Sequence, residues 1–141
     1  MDCLTEIKIR GYHADFYAHV NNARFLEFLE EDRWAHLEAL LDLDVVSRQG
    51  LVFLVVNINI NYRKAVMVGA ILQGYTSLER LGRKSGVLSQ KLVFKDSGDV
   101  AVDALVTFVL ADKSGRAVPL QEELFSGLMS SRNQPVTEQG R

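Results

Sequence analysis

Cysteine is almost absent from this 141-residue sequence, which contains only Cys3. A single cysteine cannot form an internal disulfide, and neither a second cysteine nor clustered histidines accompany it to hold a metal ion. We therefore expect no metal site and a location in the reducing cytoplasm. A nucleophilic role for Cys3 stays open, although a residue this close to a terminus is often poorly ordered.

An excess of positive charge is also missing, because 18 Asp and Glu residues outnumber 16 Lys and Arg residues and leave a net charge of -2. Nucleic-acid binding needs a clear surplus of Lys and Arg on one face. No apolar run approaches the roughly 20 residues that span a bilayer, and no basic N-terminal segment precedes an apolar one. The sequence therefore predicts a small-molecule ligand, with no nucleic-acid partner and no insertion into a membrane.

Hydrophobic residues make up 48% of the chain, which is enough for one well-buried core in a single domain. Their spacing alternates as in strands or follows the helical period. The predicted elements are a strand at Leu4–Tyr12, a helix at Asn22–Leu41, and strands at Leu51–Tyr62, Ala70–Leu81, Ser85–Lys95 and Val100–Ala111. We place the domain in residues 1–129 and expect the polar residues 130–141 to be disordered.

The predicted helix is apolar over more than half of its circumference, which indicates that other structure surrounds it. One enclosed helix followed by antiparallel strands predicts an α+β protein with the hotdog fold, in which a curved antiparallel sheet wraps around one long central helix. Within the apolar arc, Glu30 and Arg33 are three residues apart, so we expect them to form an ion pair.

The strand Leu51–Tyr62 is too apolar to remain an exposed sheet edge. We therefore expect a homodimer, or a homotetramer made of two dimers. Asn57, Asn59 and Asn61 share one face of this strand, although Asn is depleted in strands. They face a wet cleft, a subunit boundary or solvent, and the sequence leaves these three alternatives open.

Asp15 lies seven residues before Asn22, which is close to the predicted start of the helix. The N-terminus of a helix exposes unpaired backbone N–H groups that can stabilise the oxyanion formed in acyl transfer. Asp15 could attack a thioester carbonyl or activate a water there, with His19 in a supporting role. A purely structural role, in which Asp15 forms a turn and Asn21 caps the helix, stays open on local chemistry alone.

The segment from Asp15 through His19-Val20-Asn21-Asn22, continued by Phe25 to Glu30 and Arg33, resembles the 4-hydroxybenzoyl-CoA thioesterase family of hotdog proteins. The similarity runs from about Glu6 to Leu124 and is greatest to bacterial long-chain acyl-CoA thioesterases. The segments that carry this closer similarity are Arg10–His13, His19–Arg24, Val55–Arg63, Lys84–Gly86 and Asp103–Val109.

This resemblance implies an enzyme that hydrolyses medium- to long-chain acyl-CoA, with coenzyme A as part of the substrate and no cofactor. It assigns the catalytic carboxylate to Asp15 and the oxyanion donor to the backbone N–H of Asn22. The family often has an acid and a glycine where this chain has His13 and Ala18. A different hotdog branch uses a helix Glu, which keeps Glu30 and Glu31 as alternative acids, and a non-catalytic acyl-CoA-binding or regulatory module is the alternative function.

We assign further residues to substrate binding, on the acyl chain or on coenzyme A. Phe25, Leu29 and Phe53 are expected to line an apolar slot, and basic residues at strand ends and turns to contact the phosphates. The complete set is Tyr17, Phe25, Leu29, Phe53, Asn57, Asn59, Arg63, Arg83, Lys84 and Ser85. For each single basic residue, an ordinary solvated surface charge is the competing interpretation.

Overall fold

The computed structural model describes residues 3–132. A long helix, α1, follows the first strand and precedes the other five. The strands are β1 (Thr5–Lys8), β2 (Val52–Tyr62), β3 (Ile71–Leu81), β4 (Gly86–Phe94), β5 (Val100–Ala111) and β6 (Ala117–Val118), and the helices are α1 (Asn22–Leu40), α2 (Leu43–Arg48) and α3 (Ser126–Arg132). Within these residues no helix is both long and apolar enough to cross a membrane.

The six strands form one antiparallel sheet in the order β1-β3-β4-β5-β2, and the short β6 pairs with the end of β5. Side chains alternate along β5, where Val102, Ala104 and Val106 are buried on one face, so α1 covers that concave face. A curved antiparallel sheet around one enclosed helix is the hotdog arrangement, and this prediction is confirmed.

The first strand is shorter than the sequence pattern indicates. It ends at Lys8, and Gly11–His13 forms a 3₁₀ turn instead of continuing the strand to Tyr12. The other four predicted strands are correct to within a residue or two. The connection after α1 contains the unpredicted helix α2, whose first turn Asp42 caps by accepting the N–H of Val45 at 3.1 Å.

Two short helical segments end the described part of the chain. A 3₁₀ turn at Glu122–Phe125 leads into α3, which continues to Arg132, beyond the predicted domain boundary at residue 129. Phe125 and Leu128 belong to the core. The rest of the predicted disordered tail, residues 133–141, lies outside the described residues.

Two residues of α1 form a buried polar cluster with one residue each of β3 and β4, and we name it the Asp32 cluster: Asp32, Arg33, Thr76 and Gln90. Thr76 donates to Asp32 Oδ2 at 2.7 Å, and Gln90 Nε2 donates to Thr76 Oγ1 at 2.8 Å. Arg33 donates to Gln90 Oε1 at 3.0 Å.

These contacts correct the predicted Glu30–Arg33 ion pair, which does not form. Glu30 is exposed to solvent, whereas Arg33 is buried against Gln90 of β4. Burial lowers the pKa of Arg33, and the charge of Glu30 only partly counters that effect. Arg33 therefore donates to the buried oxygen of Gln90 and does not pair with Glu30 on its own helix.

The two edges of the sheet differ in chemistry. On the β1 edge, Glu6 pairs with Lys95 at 3.0 Å. On the β2 edge, Val52, Leu54 and Val56 are between 42% and 57% exposed. Val56 lies at a register shift against β5. Within residues 3–132, no strand pairs with the outer edge of β2.

Candidate active site

The segment that carries Asp15 is a small hairpin, and we call residues 13–21 the site hairpin. Asp15 donates its N–H to the carbonyl of His19 at 2.8 Å, and Asn21 donates its N–H to the carbonyl of His13 at 3.1 Å. Ala14 and Val20 pair between them. The two arms therefore connect Asp15 and the start of α1 through consecutive backbone hydrogen bonds.

The carboxylate of Asp15 is held by the loop of this hairpin. Its Oδ1 accepts the N–H of Tyr17 at 2.9 Å and, more weakly, the N–H of His19 at 3.4 Å. Within residues 3–132, Oδ2 accepts no hydrogen bond, and the residue is exposed. One oxygen thus fixes the orientation of the carboxylate and the other is free to act on a ligand.

Ala18 closes the loop in a backbone conformation that L-residues rarely adopt. Its φ is +61°. Three-residue hairpin loops commonly place a left-handed residue at this position, and glycine is favoured there because it has no Cβ. Ala18 adopts this conformation at a cost of about 1–2 kcal/mol relative to glycine.

The other arm of the site hairpin ends in the cap of α1. The side chain of Asn21 accepts the N–H of Ala23 at 3.0 Å, so Asn21 is the N-cap as the structural interpretation predicts. Asn22 follows as the first helical residue, and its N–H has no carbonyl partner within the helix. Tyr62, at the end of β2, lies beside it with its hydroxyl 3.4 Å from the Asn22 carbonyl.

Two further predicted residues, His19 in the supporting role and Tyr17 in substrate binding, lie at the same hairpin but make few contacts. Tyr17 is 72% exposed, and its ring centroid lies 5.3 Å from that of Phe16. The backbone of His19 pairs with Met67, and within the described residues its ring makes no hydrogen bond or ion pair with Asp15. The structure therefore brings His19 near Asp15 without showing the proposed support.

Within residues 3–132, the three side chains predicted to line the apolar slot lie at two separate places. Phe25 is buried one turn into α1 and its ring centroid is 5.7 Å from that of Tyr62, while Leu29 is buried one turn further on. Phe53 stacks on Phe108 with centroids 4.5 Å apart. Phe53 precedes Tyr62 by nine positions along β2, which corresponds to about 30 Å. Phe53 therefore lies at the end of the sheet opposite to Tyr62 and Phe25.

The asparagines of β2 face away from α1, on the convex side of the sheet. Asn59 and Asn61 line a shallow polar cleft with Arg63, Glu79, Ser89 and Asp103. Arg63 is already paired with Asp103 at 2.8 Å, and this contact lowers the pKa of Asp103. Asn57 is exposed on the same face, so this group is separate from the site hairpin.

The basic turn Arg83-Lys84-Ser85 connects β3 and β4 at the end of the sheet away from Asp15. Tyr62 pairs with Val102 of β5, whereas Gly86, next to this turn, pairs with Phe108. Val102 and Phe108 are six positions apart along β5, which corresponds to roughly 20 Å. One chain alone therefore does not bring this turn to Asp15.

The alternative acids on the helix are poorly placed for the same chemistry. Glu30 and Glu31 are exposed, and they follow Asn22 by eight and nine residues, about 12–14 Å along the helix axis. The described residues contain no group of three or more His, Cys, Asp or Glu side chains that could hold a metal ion.

Comparison with known proteins places this geometry among thioesterases. The model of the family described as the Thioesterase-like superfamily matches residues 10–128. The long-chain acyl-CoA thioesterase FadM of Escherichia coli K12 is 48% identical over 121 residues, which cover 85% of this chain and 92% of FadM. The crystal structure of YbaW, a probable thioesterase from Escherichia coli, has a TM-score of 0.82 at 46% identity and covers 90% of this chain and 96% of its own.

A more distant structure shares the fold. A thioesterase of Thermus thermophilus, crystallised with coenzyme A and zinc, is 23% identical with a TM-score of 0.79, and the match covers 94% of this chain and 95% of that one. The hotdog architecture is therefore common to chains of very different sequence.

Proposed function

This chain belongs to the Thioesterase-like superfamily and is an acyl-CoA thioesterase, and we propose that it hydrolyses medium- to long-chain fatty acyl-CoA with Asp15 as the catalytic carboxylate. The relative FadM, at 48% identity, is named for activity on long-chain acyl-CoA. Coenzyme A enters and leaves as part of the substrate, and the reaction uses no cofactor. The lone cysteine supports a cytoplasmic location.

The observation that carries the mechanism is the site hairpin, which holds a carboxylate and a free helix N–H in one hydrogen-bonded unit. The substrate carbonyl lies at the start of α1, where the Asn22 N–H and the helix dipole stabilise the oxyanion. The free Oδ2 of Asp15 either attacks the carbonyl carbon, forming an anhydride that water then hydrolyses, or removes a proton from the attacking water. The thiolate of coenzyme A leaves in both routes.

Pairing of two β2 edges gives the homodimer and completes each site. If twin β2 strands pair antiparallel, the start of one lies beside the end of the other, so Phe53 of the second subunit approaches Phe25 of the first. The turn Arg83-Lys84-Ser85 of the second subunit then lies at the same end of the double sheet as Asp15, where it can contact the phosphates of coenzyme A. A homotetramer would form from two such dimers. Light scattering that finds a stable, active monomer at micromolar concentration would contradict this arrangement.

The substitution Asp15→Asn tests the chemistry. Its amide oxygen can still accept the N–H groups of Tyr17 and His19, so the hairpin is preserved while the ionised carboxylate is lost. We expect kcat to fall by several orders of magnitude, with substrate affinity and melting temperature nearly unchanged. The readout is release of free thiol from acyl-CoA, together with ligand affinity and melting temperature.

A matched control is Asn21→Ala, which removes the helix cap beside Asn22 without touching the carboxylate. It should lower stability by about 1 kcal/mol and retain most of the turnover. Normal kcat in a folded Asp15→Asn protein would instead favour Glu30, Glu31 or the non-catalytic binding module.

Chain length is tested with a series of acyl-CoA substrates from acetyl to hexadecanoyl. Each buried methylene contributes about 0.8 kcal/mol, so affinity should rise steeply with length until the slot is full. Faster turnover of acetyl or small aromatic thioesters than of dodecanoyl-CoA would contradict the proposed substrate class.

A further inference from the structure

His13 is buried in the structure at the base of the site hairpin. Only 9% of its surface is exposed. Its Nδ1 accepts the backbone N–H of Arg10 at 2.8 Å, and its carbonyl accepts the N–H of Asn21 at 3.1 Å. His13 therefore connects the end of the first strand segment to the cap of α1.

The ring of His13 is also fixed against the helix. The His13 and Phe28 rings are perpendicular, with an interplanar angle of 89° and centroids 5.1 Å apart, and the Tyr12 ring centroid is 4.3 Å from that of His13. Phe28 is buried on the inner face of α1, about two turns from the helix start. The ring thus fixes the angle at which the site hairpin enters α1.

We propose that His13 is a positioning residue, whose neutral ring holds the Asn21–Asn22 peptide and Asp15 in register for the reaction. This inference rests on the proposed function and adds a residue that touches neither substrate nor reacting atoms. Since Asn21 pairs with His13 and Asp15 follows two residues later, a shift of the His13 backbone moves the oxyanion donor relative to the carboxylate. Misplacement by about 1 Å is enough to cost up to about 100-fold in rate.

The surroundings of His13 favour the neutral ring that this hydrogen bond requires. Burial lowers the pKa of His13 from 6.5, the charges of Arg24 and Arg10 lower it further, and Glu27 opposes them. At pH 7 the ring is therefore neutral, with Nδ1 as acceptor and the proton on Nε2. In acid, protonation of Nδ1 replaces the acceptor with an N–H group, so the hydrogen bond from the Arg10 N–H is lost.

Two substitutions separate the acceptor from the ring. His13→Phe keeps an aromatic ring against Phe28 and removes the acceptor, whereas His13→Asn keeps an acceptor atom on Cγ and removes the ring. We expect His13→Phe to lower kcat at least tenfold with little change in KM, because the slot is untouched, and His13→Asn to restore most of that loss. Amide hydrogen exchange should speed up at Arg10 in His13→Phe alone.

The pH profile gives a readout that ordinary destabilisation does not produce. Wild-type kcat should fall as the pH drops below 6.5 through the lowered pKa of His13, and in His13→Asn this acid limb should move to lower pH. Stability follows the same sign, since the unfolded chain takes up a proton on His13 at higher pH than the folded chain does.

The outcomes distinguish this inference from the proposed function. If both folded His13 variants have the wild-type kcat and the wild-type acid limb, the positioning role is overturned. The proposed function would still stand in that case, provided that the Asp15→Asn protein is inactive. Equal loss of kcat in His13→Phe and His13→Asn would also overturn it, because the acceptor would then not matter. If His13→Phe does not fold, the acid limb of His13→Asn decides alone.

Discussion

Thr76→Val tests whether the Asp32 cluster stabilises the protein. The change replaces a buried hydroxyl with a methyl of the same size, so no cavity opens. It removes the 2.7 Å hydrogen bond to Asp32 Oδ2 and leaves one N–H of Gln90 unpaired, while the 3.0 Å bond from Gln90 to the Leu29 carbonyl remains. Asp32 then has neither carboxylate oxygen hydrogen-bonded, although Nδ1 of His36 lies 3.4 Å from Oδ1.

The magnitude follows from those two losses. A hydrogen bond to a carboxylate contributes about 1.5–3 kcal/mol, and an unsatisfied buried N–H costs about 1–3 kcal/mol. We expect the free energy of unfolding to fall by about 3–5 kcal/mol, which is a large fraction of the roughly 5–15 kcal/mol typical of a folded protein. For a chain of this length the melting temperature should drop by roughly 10–15 °C.

Urea unfolding at a fixed protein concentration measures this effect, because an oligomer unfolds in a concentration-dependent way. Thr107→Val is the matched control, since Thr107 lies on the convex face of β5 and is only partly buried. It should change stability by less than about 0.5 kcal/mol. A loss below about 1 kcal/mol for Thr76→Val would refute the idea that the cluster is a stabilising network.

Two further substitutions test backbone and packing constraints by urea unfolding. Ala18→Gly removes the strain of the left-handed φ of +61° and should stabilise the protein by up to about 1 kcal/mol with activity kept. Ala18→Val should destabilise the protein. A clear loss of stability in Ala18→Gly would contradict the strain. Gly86→Ala would place a Cβ against the ring of Phe108, which is packed between Phe53 and Phe125, and should cost about 1–3 kcal/mol. Gly11→Ala, with no atom within 4 Å of the new Cβ, serves as its control, and an equal effect of both would argue against the clash.

The fold could be predicted from the sequence because its signals are local and repeated. The alternation along Val100–Ala111 and the wide apolar arc of Asn22–Leu40 each follow from which face is buried. The position of Asp15 and the cap at Asn21 could likewise be predicted, since a turn and a helix start depend on neighbouring residues.

Contacts between distant segments could not be predicted in the same way. Arg33 meets Gln90 and Asp32 meets Thr76 across 57 and 44 residues, and only the register of the sheet decides such pairs. One signal was present, because Gln90 alternates with Leu88 and Leu92 on the buried face of β4. A polar residue at such a position must find a buried partner, and Asp32 follows Leu29 on the inner face of the helix.

The distance between two predicted substrate residues and Asp15 could not be predicted for a related reason. The sequence predicts that Phe53 lines the acyl slot and that Arg83, in a turn, contacts coenzyme A. The direction of each strand, which the pattern does not give, places both at the end of the sheet away from Asp15. Relating them to Asp15 requires a second chain, which one sequence does not describe.

The unequal edges of the sheet determine how far self-association can proceed. A chain whose sheet has two unprotected edges can pair with another chain at each edge and so grow into a fibre, as in cross-β assemblies. Here the β1 edge presents Glu6 paired with Lys95, and charge at an edge disfavours further strand addition. The apolar β2 edge can pair with the β2 edge of a second copy about a two-fold axis. Once paired, neither edge has free backbone groups for a further chain. In the proposed homodimer, strand-to-strand growth therefore ends at two chains.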